Sequence, residues 1–465
     1  MATSAAGAWI ALELNDVLLA VADESGVLST EPGYAVLDED ALRLGFDALP
    51  VLRRQAHHAS TRHWRDFGPG PLPRPLGHCR SNADLVAAHL QRLWVRHGAG
   101  RTGVLFALPA GWTSEQRQEL AALATQLGMP VLGFAESAVA ASRHEQPGRE
   151  LLHLEAGLHA LTLSRIRQSG GAALGEQAGD RESYPQLGIE PLLRLVMDVL
   201  ARRFVECSRF DPLHDSVSEQ ALFDQLPGWL PRLGQGAEVP VELVTRSGTF
   251  AAVIQATAFR AQLARACEPL LQKLRARVAA RGGHVLQVHA RLADLPGVLD
   301  ALLGLPDTVV HVLAPGAAAA GLVSRAASVL QSGAGPALLA ELPWDPPGTA
   351  DTPATAASVG TTLPPTHLLA GFRAHRLGAG PFRIGSELRE GEAGVALDPG
   401  LRGVSRQHCT LRQQNGAWLV FDHSRFGTWL NGHRIEGAAL VQPGDVLAVG
   451  SPPFELRLLA EVDAG

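Results

Sequence analysis

The residue types best suited to bind an anion lie near the C-terminus of the chain. They are Arg, Ser and Asn residues on the turn-rich stretches that follow Thr366. Loop hydroxyl, amide and guanidinium groups, together with backbone N–H groups, bind phosphate in proteins. The chain has no GxSxG, HExxH, Walker or kinase motif. We therefore expect ligand binding at this end of the chain and no catalytic residues.

Two other clusters contain side chains of the types that bind metals. These clusters are Asp211, His214 and Asp215, and His57, His58 and His63. A Pro-containing loop followed by an Asp that caps a helix explains the first cluster more simply. The second cluster lies in a polar stretch, where solvated side chains are the simpler interpretation. We predict no metal site.

The composition excludes several classes of protein. Of the 465 residues, 46% are hydrophobic, and 40 basic against 46 acidic side chains give a formal net charge of −6. Nucleic-acid binding needs a basic surface, so no nucleic-acid partner is expected. The four cysteines are distant and form no CxxC pair, which indicates a reducing, cytoplasmic location. Neither a secretory signal nor a clean apolar span is present, so membrane insertion is not expected.

The anion-binding stretches alternate with short strand-like runs from Thr366 onward. Val, Leu, Phe and Trp are frequent in these runs, and pairs such as Asn415-Gly416 and Asn431-Gly432 mark turns between them. This spacing predicts an all-β sandwich with the candidate binding residues on its loops.

Four stretches of this block occur in the order typical of a known family. RIGS (383–386), SRQH (405–408), FDHSRFGTWLNG (421–432) and PGDVLAVG (443–450) resemble the forkhead-associated (FHA) domain, a sandwich that binds phosphothreonine. The resemblance implies a phosphopeptide site made of Ser386, Ser405, Arg406, Arg425 and Asn431. It also implies loop-shaping roles for Gly385, His408, Gly427 and Thr428.

Two positions depart from the family pattern. The family usually has Gly-Arg where this chain has Gly385-Ser386, and that arginine is a main phosphate contact. The family often has Asn where this chain has Phe426. Losing a charge-assisted guanidinium contact costs about 1.5–3 kcal/mol of binding energy. Two alternatives stay open: a weakened phosphopeptide site, in which another arginine substitutes, and a docking surface that binds without phosphate.

The first 330 residues alternate between strand-like and helix-like patterns. A strand–turn–strand pattern opens each of two halves, at 9–23 and 151–166. Apolar residues at three- and four-residue spacing predict long helices at 187–208 and 256–281. The sequence therefore predicts an internally duplicated α/β architecture.

The order of these pieces resembles the actin-like ATPase domain of the DnaK-type (70-kDa heat-shock) chaperones. The best stretch is LPAGWTSEQRQELAALATQLGMPVLGFAESAVAAS (108–142), and APGAAAAGLVS (314–324) is similar to the closing helix of that family. The resemblance implies a duplicated ribonuclease-H-like fold. It also implies a nucleotide cleft formed by two strand turns, 13–17 and 153–158, and by a loop at 290–292.

The cleft residues differ from those that bind nucleotide in that family. There, an Asp with Gly, Thr or Ser in each turn lets backbone N–H groups approach phosphate and positions Mg²⁺. Here the first turn has no glycine and the second keeps only one. The vestigial cleft positions are Glu13, Asn15, Asp16, Glu136, His153 and Gly157. We predict a pseudo-ATPase with neither ATP nor Mg²⁺ as cofactor; the alternative is a DnaK-like ATPase with rebuilt phosphate loops, regulated through its FHA domain.

Residues 333–365 separate the two patterns and are rich in Pro, Ala, Thr and Gly, without a basic residue. Such a segment predicts an extended linker between an actin/DnaK-like domain at 1–332 and an FHA domain at 366–465. The whole chain is then a non-catalytic cytoplasmic adaptor or scaffold. Its FHA domain docks a protein partner, with or without phosphothreonine, and its N-terminal domain is an interaction platform. An actin-like assembly factor recruited by the FHA domain is a further alternative.

Limited proteolysis of the full chain should cut first within residues 345–365, because this composition offers little burial to hold the backbone. The expected product is a stable C-terminal fragment of about 100 residues, identified by mass spectrometry. First cleavage inside 366–465 would show that this block is not an independent domain.

Overall fold

The computed structural model describes residues 9–169, 171–175, 181–325, 338–339 and 341–345, and then 366–370, 373–378, 380–388, 392–397, 401, 403–414, 417–430, 433–435, 437–441, 445–450 and 454–459. The chain divides into two units, Met1–Thr355 and Ala356–Gly465.

The N-terminal unit mixes strands and helices. Its strands, in chain order, are β1 (Trp9–Glu13), β2 (Leu19–Asp23), β3 (Gly26–Glu31), β4 (Ala35–Asp38), β5 (Ala41–Leu44), β6 (Ala59–Ser60), β7 (Pro71–Leu76), β8 (Cys79–Ser81), β9 (Gly103–Leu108), β10 (Val131–Glu136), β11 (Glu150–Ala156), β12 (Leu161–Ser169), β13 (Ala172–Leu174), β14 (Arg181–Tyr184), β15 (Glu238–Thr245), β16 (Gly248–Gln255), β17 (His284–Val288), β18 (Thr308–Val312), β19 (Leu338–Leu339) and β20 (Glu341–Pro343). Its helices are α1 (Asn82–His97), α2 (Ser114–Gln126), α3 (Ser137–Ala141), α4 (Ile189–Ser208), α5 (Ser216–Gln235), α6 (Ala256–Ala266), α7 (Glu268–Arg281), α8 (Ala290–Ala293), α9 (Val298–Leu303) and α10 (Ala317–Ser324), with 3-10 turns at Gly45–Val51 and Ala56–His58.

The two main sheets of this unit repeat one strand pattern. In the first sheet the order is β19-β10-β9-β1-β2-β3, and in the second it is β18-β17-β11-β12-β13-β20. Each contains an antiparallel meander, β1–β2–β3 or β11–β12–β13, whose first strand pairs in parallel with the next strand of that sheet. The predicted strand–turn–strand opening of each half is present at β1–β2 and at β11–β12.

Helix pairs cover the sheets because each sheet has apolar residues on both faces. On one side of the first sheet, side chains of α1 and α2 share a core with β1, β9 and β10. Helices α4, α5, α6 and α7 share a second, larger core with strands of the second sheet. A third, alanine-rich core contains residues of both sheets together with α3 and α10.

Helices α3 and α10 cross at very short distance. A Cβ atom at Gly321 would overlap the carbonyl oxygen of Ala140, so no larger residue fits this crossing without a shift. The buried guanidinium of Arg325 donates to the carbonyl oxygens of Val139, Ala140 and Ser142, which lie at the C-terminal end of α3. This contact satisfies carbonyl groups that the short helix leaves without partners.

The predicted helix at 256–281 is two helices. The chain breaks at Cys267, between α6 and α7, because Pro269 has no N–H to donate within a continuous helix and is tolerated only in a first turn. The predicted helix start after Asp215 is confirmed, since the Asp215 carboxylate accepts hydrogen bonds from the backbone N–H groups of Val217 and Ser218.

The predicted linker at 333–365 begins too early. Strand β19 pairs in parallel with β10 of the first sheet, and β20 pairs antiparallel with β13 of the second. Leu342 is buried, and the carboxylate of Asp345 forms an ion pair with Arg143. We call residues 338–339 and 341–345 the strap, because they bind both sheets. Apolar burial and this ion pair explain why the segment belongs to the N-terminal unit; residues 346–365 lie outside the described part of the chain.

The C-terminal unit is a two-sheet β-sandwich, as predicted. Its strands are β21 (His367–Ala370), β22 (Arg373–Arg376), β23 (Phe382–Gly385), β24 (Gly394–Ala396), β25 (Cys409–Gln414), β26 (Ala417–Asp422), β27 (Thr428–Leu430), β28 (His433–Arg434), β29 (Ala438–Val441), β30 (Val446–Val449) and β31 (Phe454–Leu459). The sheet orders are β22-β21-β31-β30-β27-β28 and β24-β23-β25-β26-β29. Alternate apolar side chains from both sheets, such as Leu368, Ile384, Leu411 and Leu447, fill the core between them.

None of the described helices combines the length and the apolar character that crossing a lipid bilayer requires.

Replacing Gly321 by Ala should destabilise the N-terminal unit by about 1–3 kcal/mol, because the new methyl group forces α10 away from α3. Gly234→Ala is the matched control: this helical glycine has no neighbouring atom where a Cβ would stand. The control should be neutral or stabilising by up to about 1 kcal/mol. Thermal unfolding of both variants measures the difference. Equal stability of the two would show that the crossing tolerates a wider separation.

Candidate functional site

Three loops meet at one end of the C-terminal sandwich. They follow β23, precede β25 and join β26 to β27. The backbone N–H of Ser386 donates to Ser405 O over 3.1 Å, and that of Glu387 donates to Arg406 O over 3.3 Å. A Cβ atom at Gly385 would overlap the carbonyl oxygen of Arg406, so a glycine is required where the first two loops touch. The loop-shaping role of Gly385 stays a prediction, and this close contact supports it.

His408 connects the second loop to the third. Its Nδ1 accepts a hydrogen bond from Ser405 N over 3.1 Å, and its Nε2 lies 3.2 Å from Gly427 O. A neutral ring with its proton on Nε2 satisfies both contacts. The ring is fully buried, and this burial lowers the pKa of His408. The neutral form is therefore favoured, and it holds the two loops together.

The third loop is fixed by its own hydrogen bonds. Ser424 Oγ accepts from Gly427 N over 2.7 Å, and Asp422 Oδ1 accepts from Ser424 N over 3.0 Å and from Thr428 Oγ1 over 2.8 Å. Gly427 has a φ of 95°, which side-chain-bearing residues rarely adopt. The loop therefore has a defined shape, and the side chains of Arg425 and Phe426 at its tip point outward.

Ser405 lies between these loops, and its hydroxyl proton finds no acceptor in the part of the sandwich that the structure describes. Its Oγ accepts a weak hydrogen bond from Arg425 N over 3.4 Å. Among the described residues, nothing accepts a hydrogen bond from this hydroxyl, so it is free to donate to an anion. Ser386 stands beside it on the first loop. The structure thus brings Ser386, Ser405, Arg406 and Arg425 together, whereas Asn431 lies outside the described residues.

The side chains around Ser405 differ in whether they form ion pairs and in how exposed they are. Arg406 Nε lies 3.6 Å from the carboxylate of Glu387, and both side chains are exposed, at 87% and 66%. Phe426 is 64% exposed. Arg383 forms an ion pair with Glu392 over 2.9 Å and is therefore not available as a substitute for the missing family arginine.

In the N-terminal unit, the two strand turns that were predicted to form a vestigial nucleotide cleft contact each other. Asp16 Oδ1 accepts from Leu158 N over 2.8 Å, and Asn15 Nδ2 donates to Glu155 Oε1 over 3.5 Å. Gly157 has no side chain to separate the turns: a Cβ there would lie 3.4 Å from Asp16 Oδ1. The polar groups of the turns, which would face a phosphate in a nucleotide site, form hydrogen bonds with each other instead.

Glu13 and His153 line one small cavity. Glu13 Oε2 accepts from Ala318 N and Ala319 N, over 3.0 and 3.2 Å, at the start of α10. His153 Nδ1 lies 3.3 Å from Gln287 Oε1. Between them is a cavity of about 10 Å³, also lined by Ser137, Glu155 and His289. That volume holds about one water molecule.

Three buried carboxyl groups meet here, and we call Glu13, Asp16 and Glu155 the acid cluster. Burial raises the pKa of Glu13 to about 7 and that of Asp16 to about 6, although backbone N–H groups partly offset it. Burial, reinforced by the charges of Glu13 and Asp16, raises the pKa of Glu155 to about 8. Burial also lowers the pKa of His153 to about 4, so this histidine supplies no positive charge at neutral pH.

A second contact joins the two halves of the N-terminal unit. Tyr34 Oη donates to Glu190 Oε1 over 2.5 Å, and the Arg53 guanidinium forms an ion pair with Glu190 over 2.8 Å. Arg53 N also donates to Gln220 Oε1 over 2.8 Å. Glu190 and Gln220 lie on α4 and α5, so the first half holds both helices of the second.

The remaining candidate residues lie apart from these sites. Glu136 ends β10, half-buried, immediately before α3. Asp215 caps α5, and Asp211 accepts from Leu213 N in the preceding loop. His63 is buried, whereas His57 is exposed. Among the described residues, no three His, Cys, Asp or Glu side chains form a group that could hold a metal.

Several residues of these sites were missed from sequence. Ser424 and Glu387 stand within or beside the recognised motifs, and a Ser three positions before a Gly-Thr pair was a usable signal for a hydrogen-bonded turn. Ser137, His289 and Glu190 offered no signal, because they are distant in sequence from the residues that they face.

The stability of the N-terminal unit should fall as pH rises from about 4.5 to about 8. Over this range folded Glu155 keeps a proton that it loses in the unfolded chain, whose ordinary pKa is 4.5. Glu155→Gln preserves the neutral form. It should be more stable than the wild type at pH 8, by on the order of 1–3 kcal/mol, with a flatter pH dependence.

Thermal and chemical unfolding between pH 4.5 and 9 test this, with Glu242→Gln, at an exposed strand position, as the control. Destabilisation by Glu155→Gln at every pH would contradict a protonated acid cluster.

Comparison with known protein families identifies the domain that carries the Ser405 loops. Residues 382–450 match the family model of the FHA domain. A search of curated proteins gave no match for the chain. The match includes the three loops around Ser405 and the strands from β23 to β30. The C-terminal unit of this chain therefore contains an FHA domain, at residues 382–450.

Proposed function

We propose that this chain is a non-catalytic adaptor whose FHA domain binds a protein partner phosphorylated on threonine. The observation that carries the proposal is the Ser405 hydroxyl, which donates to no acceptor among the described residues. It lies on a loop that His408 holds in place, next to two exposed arginines. Hydroxyl and guanidinium donors around a fixed anion position form charge-assisted hydrogen bonds with a phosphate dianion. The family match to 382–450 supports a phosphoprotein-binding role for this unit.

We further propose that the N-terminal unit is an actin-like, duplicated domain related to the DnaK-type chaperones, which acts as an interaction platform without nucleotide turnover. The repeated strand order of its two sheets supports the duplication. The direct contacts between the 13–17 and 155–158 turns support the loss of nucleotide chemistry. Pockets that hold drug-sized ligands have volumes of about 300–1,000 Å³. The cavity of about 10 Å³ beside the acid cluster is far smaller.

The charge of the cleft supports the same proposal. Glu13, Asp16 and Glu155 are buried carboxyl groups without a cationic side chain hydrogen-bonded to them among the described residues. Ionised, they repel a triphosphate. Protonated, they offer it only neutral contacts. Nucleic-acid binding needs an excess of basic residues, whereas this chain has a net charge of −6. A cytoplasmic protein partner therefore fits the composition better.

Mg-ATP should neither stabilise the full chain nor be hydrolysed by it. A ligand at 100 times its dissociation constant adds about 2.7 kcal/mol of stability, which is readily seen as a rise in melting temperature. Calorimetry and thermal unfolding with millimolar Mg-ATP measure the effect, with Mg²⁺ alone as control. A clear rise in melting temperature would favour the alternative, an ATP-binding ATPase with rebuilt phosphate loops whose two halves separate around Tyr34–Glu190.

A phosphothreonine peptide pool should bind the full chain weakly, with a dissociation constant on the order of tens of micromolar or poorer. Ser405→Ala should weaken binding without unfolding the domain, because the hydroxyl serves no partner in the core. Ser386→Arg should tighten binding by about 1.5 kcal/mol or more, because it adds a guanidinium beside Ser405.

Fluorescence anisotropy with phosphorylated and unphosphorylated pools measures both effects. Equal binding of the two pools, unchanged by Ser386→Arg, would identify a phosphate-independent docking surface.

A further inference from the structure

Two exposed arginines stand beside Ser405, and their surroundings differ. The Arg406 side chain faces Glu387, whose carboxylate lies 3.6 Å from Arg406 Nε. The backbone of Glu387 also donates to Arg406 O over 3.3 Å, so the two residues are held together at two points. The negative charge of Glu387 offsets the positive charge of Arg406 near the anion position.

Arg425 has no such counter-charge. No acidic side chain among the described residues forms an ion pair with its guanidinium. Its backbone N–H points at Ser405 Oγ over 3.4 Å, so its side chain leaves the backbone beside the free hydroxyl. The loop that carries it is fixed by hydrogen bonds from Ser424 and Asp422. A cation on a rigid loop loses less freedom on binding than one on a mobile loop.

We infer that Arg425 is the main phosphate-binding cation of this FHA domain, and that Glu387 restrains Arg406 from that role. The inference rests on the proposed binding of phosphothreonine. It explains how a domain with serine at position 386 keeps a guanidinium at the phosphate. The charge comes from the loop between β26 and β27, whose Arg425 N lies 3.4 Å from Ser405 Oγ, and not from the loop that holds Ser386. The ligand is a phosphothreonine side chain on a separate protein.

The experiment compares charge removal at neighbouring positions in the full chain. The probe is a degenerate peptide pool with a central phosphothreonine, and the same pool with threonine is its reference. Arg425→Gln should lower the affinity for the phosphorylated pool about tenfold or more. Arg406→Gln should lower it by less than about threefold. Arg412→Gln removes an exposed arginine on β25 that lies over the Phe421 ring, and should leave the affinity unchanged.

Two further variants test the mechanism of the effect. Glu387→Gln should raise the affinity about two- to fivefold, because it frees Arg406 from an exposed ion pair. Arg425→Gln/Ser386→Arg should recover most of the affinity lost in Arg425→Gln, because it returns a guanidinium to a loop that touches Ser405. Recovery in the double variant also shows that the domain is still folded when Arg425 is replaced.

The outcomes separate the inference from the function on which it rests. A wild-type chain that binds the two pools equally overturns the phosphothreonine proposal and the inference with it. Phosphate-dependent binding that Arg425→Gln leaves intact, while Arg406→Gln abolishes it, overturns the inference alone. Loss in Arg425→Gln that Ser386→Arg does not restore also overturns it, because the guanidinium would then not be acting on the phosphate.

Discussion

The close crossing of α3 and α10 is the contact on which the architecture of the N-terminal unit depends. Helix α3 follows a strand of the first sheet, whereas α10 follows a strand of the second, and both contribute to one alanine-rich core. Only small residues allow two helix backbones to approach this closely, and Gly321 stands where the backbone of α3 occupies the position of a Cβ. Arg325 then satisfies the carbonyl groups at the end of α3. At this crossing the two helices touch through their backbones, because Gly321 places no side chain between them.

This close joining determines what the cleft can do. When the halves are this near, the turn at 13–17 reaches the turn at 155–158, and their polar groups bind each other. Asp16 takes the Leu158 N–H and Glu155 takes the Ala110 N–H, so these donors are not presented to a ligand. Burial disfavours the charged form of a carboxyl group, which explains the raised pKa values of Glu13 and Glu155. The strap and the Tyr34–Glu190 contact act in the same direction, because each links the two halves.

In the FHA domain, buried hydrogen bonds hold three loops in a fixed shape, and these loops form an exposed surface around Ser405. Its loops are fixed by buried polar contacts, above all by the neutral His408 ring between Ser405 N and Gly427 O. Among the described residues, the groups not used within this network include the Ser405 hydroxyl proton and the exposed side chains of Arg425 and Phe426. A fixed framework with unused donors at its edge is suited to bind an anionic side chain with small loss of entropy. The adaptor function proposed for the chain depends on these unused groups.

The sequence alone determined the local structure of this protein and the identity of one unit. Alternating apolar residues with Asn-Gly turns predicted the sandwich, and the SRQH and GT stretches identified its FHA loops, because loop geometry of this kind depends on residues close together in the chain. The helix start after Asp215 was predictable for the same reason. An Asp that caps a helix accepts hydrogen bonds from backbone N–H groups only two or three residues further along the chain.

Tertiary structure decided the features that join distant segments. The strap looked like linker, because its few apolar residues gain stability only when the edges of two remote sheets are beside them. The acid cluster unites residues about 140 positions apart, as in the Asn15–Glu155 contact, so neither their burial nor their raised pKa values could be read from local pattern. The pairing of Arg406 with Glu387 likewise depends on how two loops meet in space, whereas Arg425 has no acidic partner among the described residues. Local sequence specifies turns and caps, whereas the charge state and access of a site depend on which remote segments enclose it.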